Sequence, residues 1–499
     1  MNLAIAILFV LLLSIAVSIF DHPTSSSVFA LLQDIDRSYP SIANSSTSPE
    51  MEDAAEMKMS GTGRDETGPV IEAGARETGN SSASHDTVTL KALFTDLGES
   101  GRWKELLENA LDRIQNTYAN KTVTIQYNEY PTDDTRKKII ELTSNRSEDL
   151  DIVSVDQIWL GDLASKGLLS NLTDFVGDWE GASDWYQDHW DGGVYNNTVY
   201  GIWAWTDVRG IWYWKDILEQ AEVDPNSLKT WDGYIDSAQK LNRALNPIGV
   251  NGTILFDTYY SQDMWFPYLW MLGGNIAQLR DGHPTKGTYW FPTYNSTEGV
   301  KALGFIRDQV DAGIKPDRLA SSDSDEFAQK RIAVILGGSW IPGYFADMER
   351  DDFENAIGFI PMFPVPRVDM QSSTMMGGWE LAIPVTSKHK ELAWDLITEM
   401  LNPQVLGPWI RKYGYLPTQI PLGQGLMLNR SSADLPYYDT LISMISKGDI
   451  RPNIPEYPAV AEHINEAIRK VYYSNVTDSG SISSILNDAA SKSARVLGW

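Results

Sequence analysis

A chain of 499 residues is too long for one compact core, so two lobes with additional segments are expected. With 40 basic against 67 acidic residues the net charge is −27, which excludes nucleic-acid binding as a main role, because phosphate binding needs clustered Lys and Arg. There is no cysteine, so a disulfide, a thiolate metal site or a Cys-linked lipid is excluded.

Leu3 to Phe20 is an uncharged, mainly apolar run of 18 residues. That length suits a long signal-peptide core or a membrane anchor, and a buried globular helix would carry a polar face. Val28-Phe29-Ala30 is a weak cleavage signal, which favours an uncleaved anchor. Residues 37–86 are rich in Ser, Thr, Gly, Glu and Ala and cannot bury enough surface to fold, so residues 21–86 read as a disordered tether, or else as a propeptide that is removed.

From residue 87 the pattern changes. Thr87 to Phe94 alternates as a strand does, and Trp103, Leu106, Leu107, Ala110, Leu111, Ile114 and Tyr118 fall at helical spacing. Thr122 to Tyr127 is β-branched and reads as a second strand, Asp134 to Thr143 as a helix, and Leu150 to Val155 as a third strand ending at Asp156. Ile158 to Lys166 forms a helix closed by Gly167. Alternating strands and helices predict a parallel sheet whose ligands gather beyond the carboxyl ends of the strands, where Glu99 and Asp156 lie. An aromatic zone follows, Tyr200 to Lys215, and a second patch holds Tyr259, Tyr260, Trp265, Tyr268 and Trp270, which leaves room for a longer ligand.

Further on, Gly377-Gly378-Trp379 precedes the apolar strand Leu381-Ala382-Ile383. Ser387 is placed to cap the next helix, whose apolar face is Leu392, Ala393, Leu396, Ile397 and Met400. A third stretch, Phe327 to Trp340, reads as a helix feeding a strand that ends in tryptophan.

There are 18 tryptophans, where about 6 or 7 would be ordinary for this length. An indole covers the C–H face of a pyranose, while carboxylates and Arg take its hydroxyls. Most tryptophans are nonetheless core residues, and Trp103, Trp214, Trp394 and Trp409 sit at packing positions. The chain has no G-x-x-x-x-G-K-[ST], no H-E-x-x-H and no G-x-S-x-G, and its 6 histidines are scattered, so no cofactor, metal or catalytic residue is assigned.

Val199 to Asp207 with Trp212 to Ala221, Phe327 to Trp340, the Gly-Gly-Trp turn and strand, Gly414-Tyr415-Leu416-Pro417, and Ile450-Arg451-Pro452 with Tyr457-Pro458 occur in this order. Together, over residues 87–499, they resemble the extracellular solute-binding proteins of ABC sugar importers, family 1, of the maltose- and trehalose-binding kind. The resemblance implies an α/β, two-lobed, periplasmic-binding-protein-like fold of type II, with the ligand cleft between the lobes. It places lobe 1 in residues 87–203 and 375–415 and lobe 2 in residues 204–374 and 416–499, with crossings near 203, 375 and 415. It implies capture of a di- or oligosaccharide and delivery to a separate permease with its own ATPase, with no catalysis. By resemblance, Trp340 and Trp379 look like stacking platforms, Trp205 and Asp207 like a hinge-side pair, and Asp156 and Arg451 like hydroxyl contacts. Gly378 would admit a close sugar approach, and Glu99 is a further contact.

Asn120, Asn145, Asn171, Asn196, Asn251, Asn295, Asn429 and Asn475 each begin N-x-[ST], as do Asn44 and Asn80, where chance gives roughly three or four. The excess favours an extracellular, glycosylated and membrane-anchored monomer, and the archaeal cell surface is the preferred setting. Two other readings stay open: a sensor ectodomain or binder of a non-sugar solute, and a secreted glycoside hydrolase using two carboxylates such as Asp156 and Asp207.

Overall fold

The computed structural model describes residues 69–72, 86–97, 101–118, 121–145, 150–245, 251–254, 261–314, 323–347, 353–428, 437–474 and 476–499. The apolar run 3–20 and Glu99 lie outside these residues. So do Asn44, Asn80, Asn120, Asn429 and Asn475. Among the described residues no helix is long and apolar enough to cross a membrane.

The chain opens with strands β1 (Val70–Glu72), β2 (Asp86–Thr95), β3 (Lys121–Tyr130) and β4 (Ile152–Asp156), then a small hairpin, β5 (Val194–Tyr195) and β6 (Thr198–Val199). Next come β7 (Gly201–Asp207), β8 (Arg209–Trp214), β9 (Asn251–Ile254) and a second hairpin, β10 (Ala277–His283) and β11 (Gly287–Pro292). The last strands are β12 (Ile332–Gly338), β13 (Ile357–Ile360), β14 (Thr374–Ala382), β15 (Leu416–Pro417) and β16 (Gly448–Ile450).

These strands build two main sheets. The large one runs β1-β3-β2-β4-β14-β7-β15, with β16 paired to β14; the small one runs β13-β8-β12-β9. In the large sheet β2 pairs in parallel with β3 and β4, as the alternating pattern predicts. The helix Arg102–Thr117 covers it with Trp103, Leu106, Leu107, Ala110, Leu111 and Ile114 buried on one face. Each buried leucine contributes about 2 kcal/mol, so an aspartate at Leu107 would unseat the helix. The helices Tyr457–Tyr473 and Ser479–Val496 pack against Ser261–Met271 and Thr297–Asp311 beside the small sheet.

Three features differ from the sequence expectation. The tether is not featureless: Val70–Glu72 pairs antiparallel with Thr124–Gln126 at the edge of the large sheet. The passage between sheets falls at Val208, after the whole of β7, rather than near 203. Strands β15 and β16 both belong to the large sheet, so the chain leaves it after Ile450 and not at 415. The first helix face is legible because it is apolar every three or four residues; the crossings are not, because buried strands are apolar in either sheet. Ser387 also acts one turn ahead of its expected role: its Oγ accepts from the His389 amide and donates to Asp151, while the helix itself is Lys390–Met400.

The first two passages between sheets lie side by side. Thr374 Oγ1 accepts from the Arg209 amide at 2.9 Å and donates to the Arg209 carbonyl at 2.8 Å. One threonine therefore ties the start of β14 to the start of β8.

Candidate functional site

The centre of the large sheet, β4-β14-β7, ends where the small sheet begins. Trp379 stands directly opposite Asp156 on β4 and Trp205 on β7, and Gly377 stands opposite Asp207. Residues directly opposite share a face, and so do residues two apart on a strand. Asp156, Trp379, Trp205 and Asp207 therefore line one face, here called the front.

A bulge sits behind this wall. The partner of β14 steps from Trp205 to Trp203 between Trp379 and Glu380, so Ala204 is the extra residue. That step turns Trp203 to the back with Glu380. Gly378 also faces back: a Cβ there would lie 2.1 Å from Trp203 Nε1 and 2.2 Å from the Trp205 carbonyl oxygen. Its φ of 151° is disfavoured for other residues. Gly378 is thus required by the packing of Trp203.

At the front, two arginines and three carboxylates form one buried network. Arg451 Nη1 donates to Asp263 Oδ1 at 3.2 Å, and its Nη2 lies 3.6 Å from Asp156 Oδ1. Arg209 Nη2 meets Asp263 Oδ2 at 3.5 Å, and its Nε lies 3.5 Å from Asp207 Oδ1. Asp156, Asp207 and Arg451 come from the large sheet and its margin; Arg209 comes from the small sheet and Asp263 from the helix Ser261–Met271. Burial raises the Asp207 carboxyl to about 6; Arg209 and Arg451 pull it down, and Asp263 pushes it up.

Trp340 joins from the end of β12. A Cβ on Gly338 would lie 2.0 Å from its ring, which therefore folds back over that glycine. The half-buried indole donates to Ser324 Oγ at 3.2 Å, and the Arg209 guanidinium lies 5.4 Å from the ring. Trp205 stacks on Tyr415 at 4.0 Å and 24°. Arg102 Nη1 donates to the Tyr415 hydroxyl at 2.7 Å, and its guanidinium lies 5.5 Å from the Tyr344 ring.

The structure therefore brings Asp156, Trp205, Asp207, Trp340, Trp379 and Arg451 to one junction. Trp379 is 9% exposed and Trp205 3%, so Trp340 offers the most open ring of the three. Arg209, Asp263, Arg102 and Tyr415 were missed. Arg209 had a signal, standing two residues after Asp207 at the first crossing. Asp263 had none, because it sits in a helix that reads as an aromatic patch. That patch is largely core: Trp265 and Tyr268 are fully buried, while Tyr259 and Tyr260 lie outside the described residues, so it gives no support to a longer ligand. Trp103, Trp214, Trp394 and Trp409 are buried packing residues.

The sequons sort by position. Asn145, Asn171 and Asn196 are exposed, with Asn196 at the tip of the β5–β6 hairpin. Asn295 is half-buried and its Nδ2 donates to Asn487 at 2.6 Å. Asn251 lies in β9.

Comparison with known proteins decides the family. The profile described as bacterial extracellular solute-binding protein matches residues 110–419. The chain belongs to that family. It is 26% identical over 208 residues to the arabinooligosaccharide-binding protein of Bacillus subtilis, covering 40% of this chain and 44% of that one. It is 21% identical over 299 residues to a probable amino-acid ABC transporter periplasmic-binding protein of Sinorhizobium fredii, covering 57% and 62%. The chain thus spans about half the length of these curated relatives. Among solved structures, an ABC transporter solute-binding protein of Thermotoga lettingae bound to α-D-tagatose has a TM-score of 0.68 at 22% identity. That match covers 83% of this chain and 100% of the other. The fold is the two-lobed, periplasmic-binding-protein-like one, with mixed α/β lobes.

Proposed function

We propose that this protein captures a sugar, a di- or oligosaccharide, between its two lobes outside the cell and delivers it to an ABC permease driven by a separate ATPase. The observation that carries the reading is the buried Arg209–Asp263–Arg451 network, contributed from both sheets and flanked by Trp340, Trp205 and Trp379. A sugar needs apolar plates beside paired donors and acceptors, and this junction supplies both. A ligand that touches both lobes favours the closed form by its differential affinity. Asp156 and Asp207 are engaged by arginines, which suits hydroxyl binding better than an acid–base pair cleaving a glycoside. The protein acts as a monomer, held at the membrane by residues 3–20, with Asn145, Asn171 and Asn196 as the accessible glycan positions and no catalytic role.

A second reading, capture of an amino acid, is favoured by the Sinorhizobium fredii relative. Its two charges would compete for the same arginines and carboxylates. Tryptophan-fluorescence titration of the purified protein with arabinose and maltose oligomers, monosaccharides and amino acids separates the two. A saturable change with one sugar class, at micromolar affinity or about −8 kcal/mol, is expected. Response to an amino acid alone transfers the site to the second reading, and silence across the panel from folded protein defeats both.

A further inference from the structure

Glu380 lies on the back of the wall, one residue after Trp379. It is fully buried, and among the described residues neither carboxyl oxygen has a hydrogen-bond partner. Room for it is made by missing side chains: a Cβ on Gly201 would lie 2.4 Å from Oε2, and one on Gly192 3.6 Å from Oε1. The same Gly192 position lies 2.8 Å from the Trp203 ring, so the carboxyl and the indole share one pocket. His189 closes it, with its ring centroid 4.5 Å from that of Trp203 and both ring nitrogens unpartnered.

We propose that Glu380 is a positioning residue, kept as an uncharged carboxylic acid, that holds Trp203 and through it the Gly378–Trp379 corner of the ligand wall. The path is short. Trp203 Nε1 stands where a Gly378 side chain would be, and Gly378 is the residue before Trp379. A carboxylate in this pocket would be an unpaired buried charge, which the wall accommodates only by opening.

Charged and titratable groups approach this pocket from each packed element. From β4 comes Asp156, which opposes ionisation of Glu380. The helix Gln187–Gly192 brings His189, Asp188 and Asp191; burial pushes the imidazole down to about 3, so it brings no positive charge. The helix Leu160–Ser165 brings Asp162, already paired with Arg136 and Lys166. The segment after β16 brings Arg451, committed to Asp263 and Asp156, and Asn453, which donates to the Gly192 carbonyl. On β7, Asp207 faces the front. Burial and Asp156 together push the Glu380 carboxyl well above the ordinary range. The folded protein then holds a proton that the unfolded chain releases. Stability falls as pH rises from the ordinary carboxylate range toward the raised value.

The inference rests on the proposed ligand wall only for its consequence in binding, so two measurements are paired on the purified full-length protein. The first is the unfolding midpoint of wild type and Glu380→Gln, without ligand, from about pH 5 to about pH 9. The wild-type midpoint is expected to decline with pH more steeply than that of Glu380→Gln, which supplies the same shape without a titrating proton. The second is titration with arabinotriose at the same pH values. Wild-type affinity is expected to weaken about fivefold or more between about pH 6 and about pH 9, and that of Glu380→Gln by less than about twofold. Parallel midpoint curves, or a Glu380→Gln protein that is less stable at every pH or does not fold, overturn the proposal. Diverging midpoints with no arabinotriose binding by either protein support the role of Glu380 and count only against arabinotriose as the sugar captured.

Discussion

The front and back of β4, β14 and β7 are made from the same three strands and treat charge in opposite ways. On the front, Asp156 and Asp207 are buried beside Arg451 and Arg209, whose charges offset part of the cost of burying the carboxylates. On the back, Glu380 is buried beside Trp203 and His189 with nothing to pair it. One inserted residue, Ala204, separates the two arrangements, because it turns Trp203 away from the face of Trp205. A buried acid thus sits beside arginines on one side of the wall and beside aromatic rings on the other.

Breaking the front should cost most. Arg451→Ala leaves Asp263 and Asp156 without their shared cation and is expected to lower stability by about 3–5 kcal/mol, with ligand binding lost. Chemical denaturation and the fluorescence titration measure both; an unchanged denaturation midpoint would remove the network from the stability of the junction. Asp207→Asn sharpens the comparison through pH. The folded carboxyl titrates at about 6, above its ordinary value, so its neutral form favours the folded state. Wild-type stability should fall by on the order of 2–3 kcal/mol between about pH 4 and about pH 7 from this group, and the Asn variant should lack that part of the slope. Gly378→Ala tests the bulge from the back. Its methyl would meet Trp203 and the Trp205 carbonyl, and the loss should be about 1–3 kcal/mol in thermal unfolding. A fully stable alanine variant would show that the backbone there is not constrained.

The sequence made the lobes and the tryptophan-lined junction legible, for separate reasons. Strand–helix alternation from Thr87 to Lys166 is a periodic signal, and periodicity survives without knowledge of contacts. Trp340 and Trp379 stand beside glycines, and Gly338 and Gly378 prove to be glycines for packing reasons. Asp263 was not legible, because its meaning comes from meeting Arg209, 54 residues away in the chain. Glu380 was not legible either. In sequence it is one acid in an apolar strand, and only the Ala204 bulge and the gaps at Gly192 and Gly201 show why it is tolerated.

Strand β1 has a mechanical side. It grips β3 at the outer edge of the large sheet, with three strands between it and β14. Anything that restrains the chain ahead of Pro69 therefore pulls on that sheet and leaves the small one unloaded. A load on the chain there enters the protein at an edge strand of the large sheet.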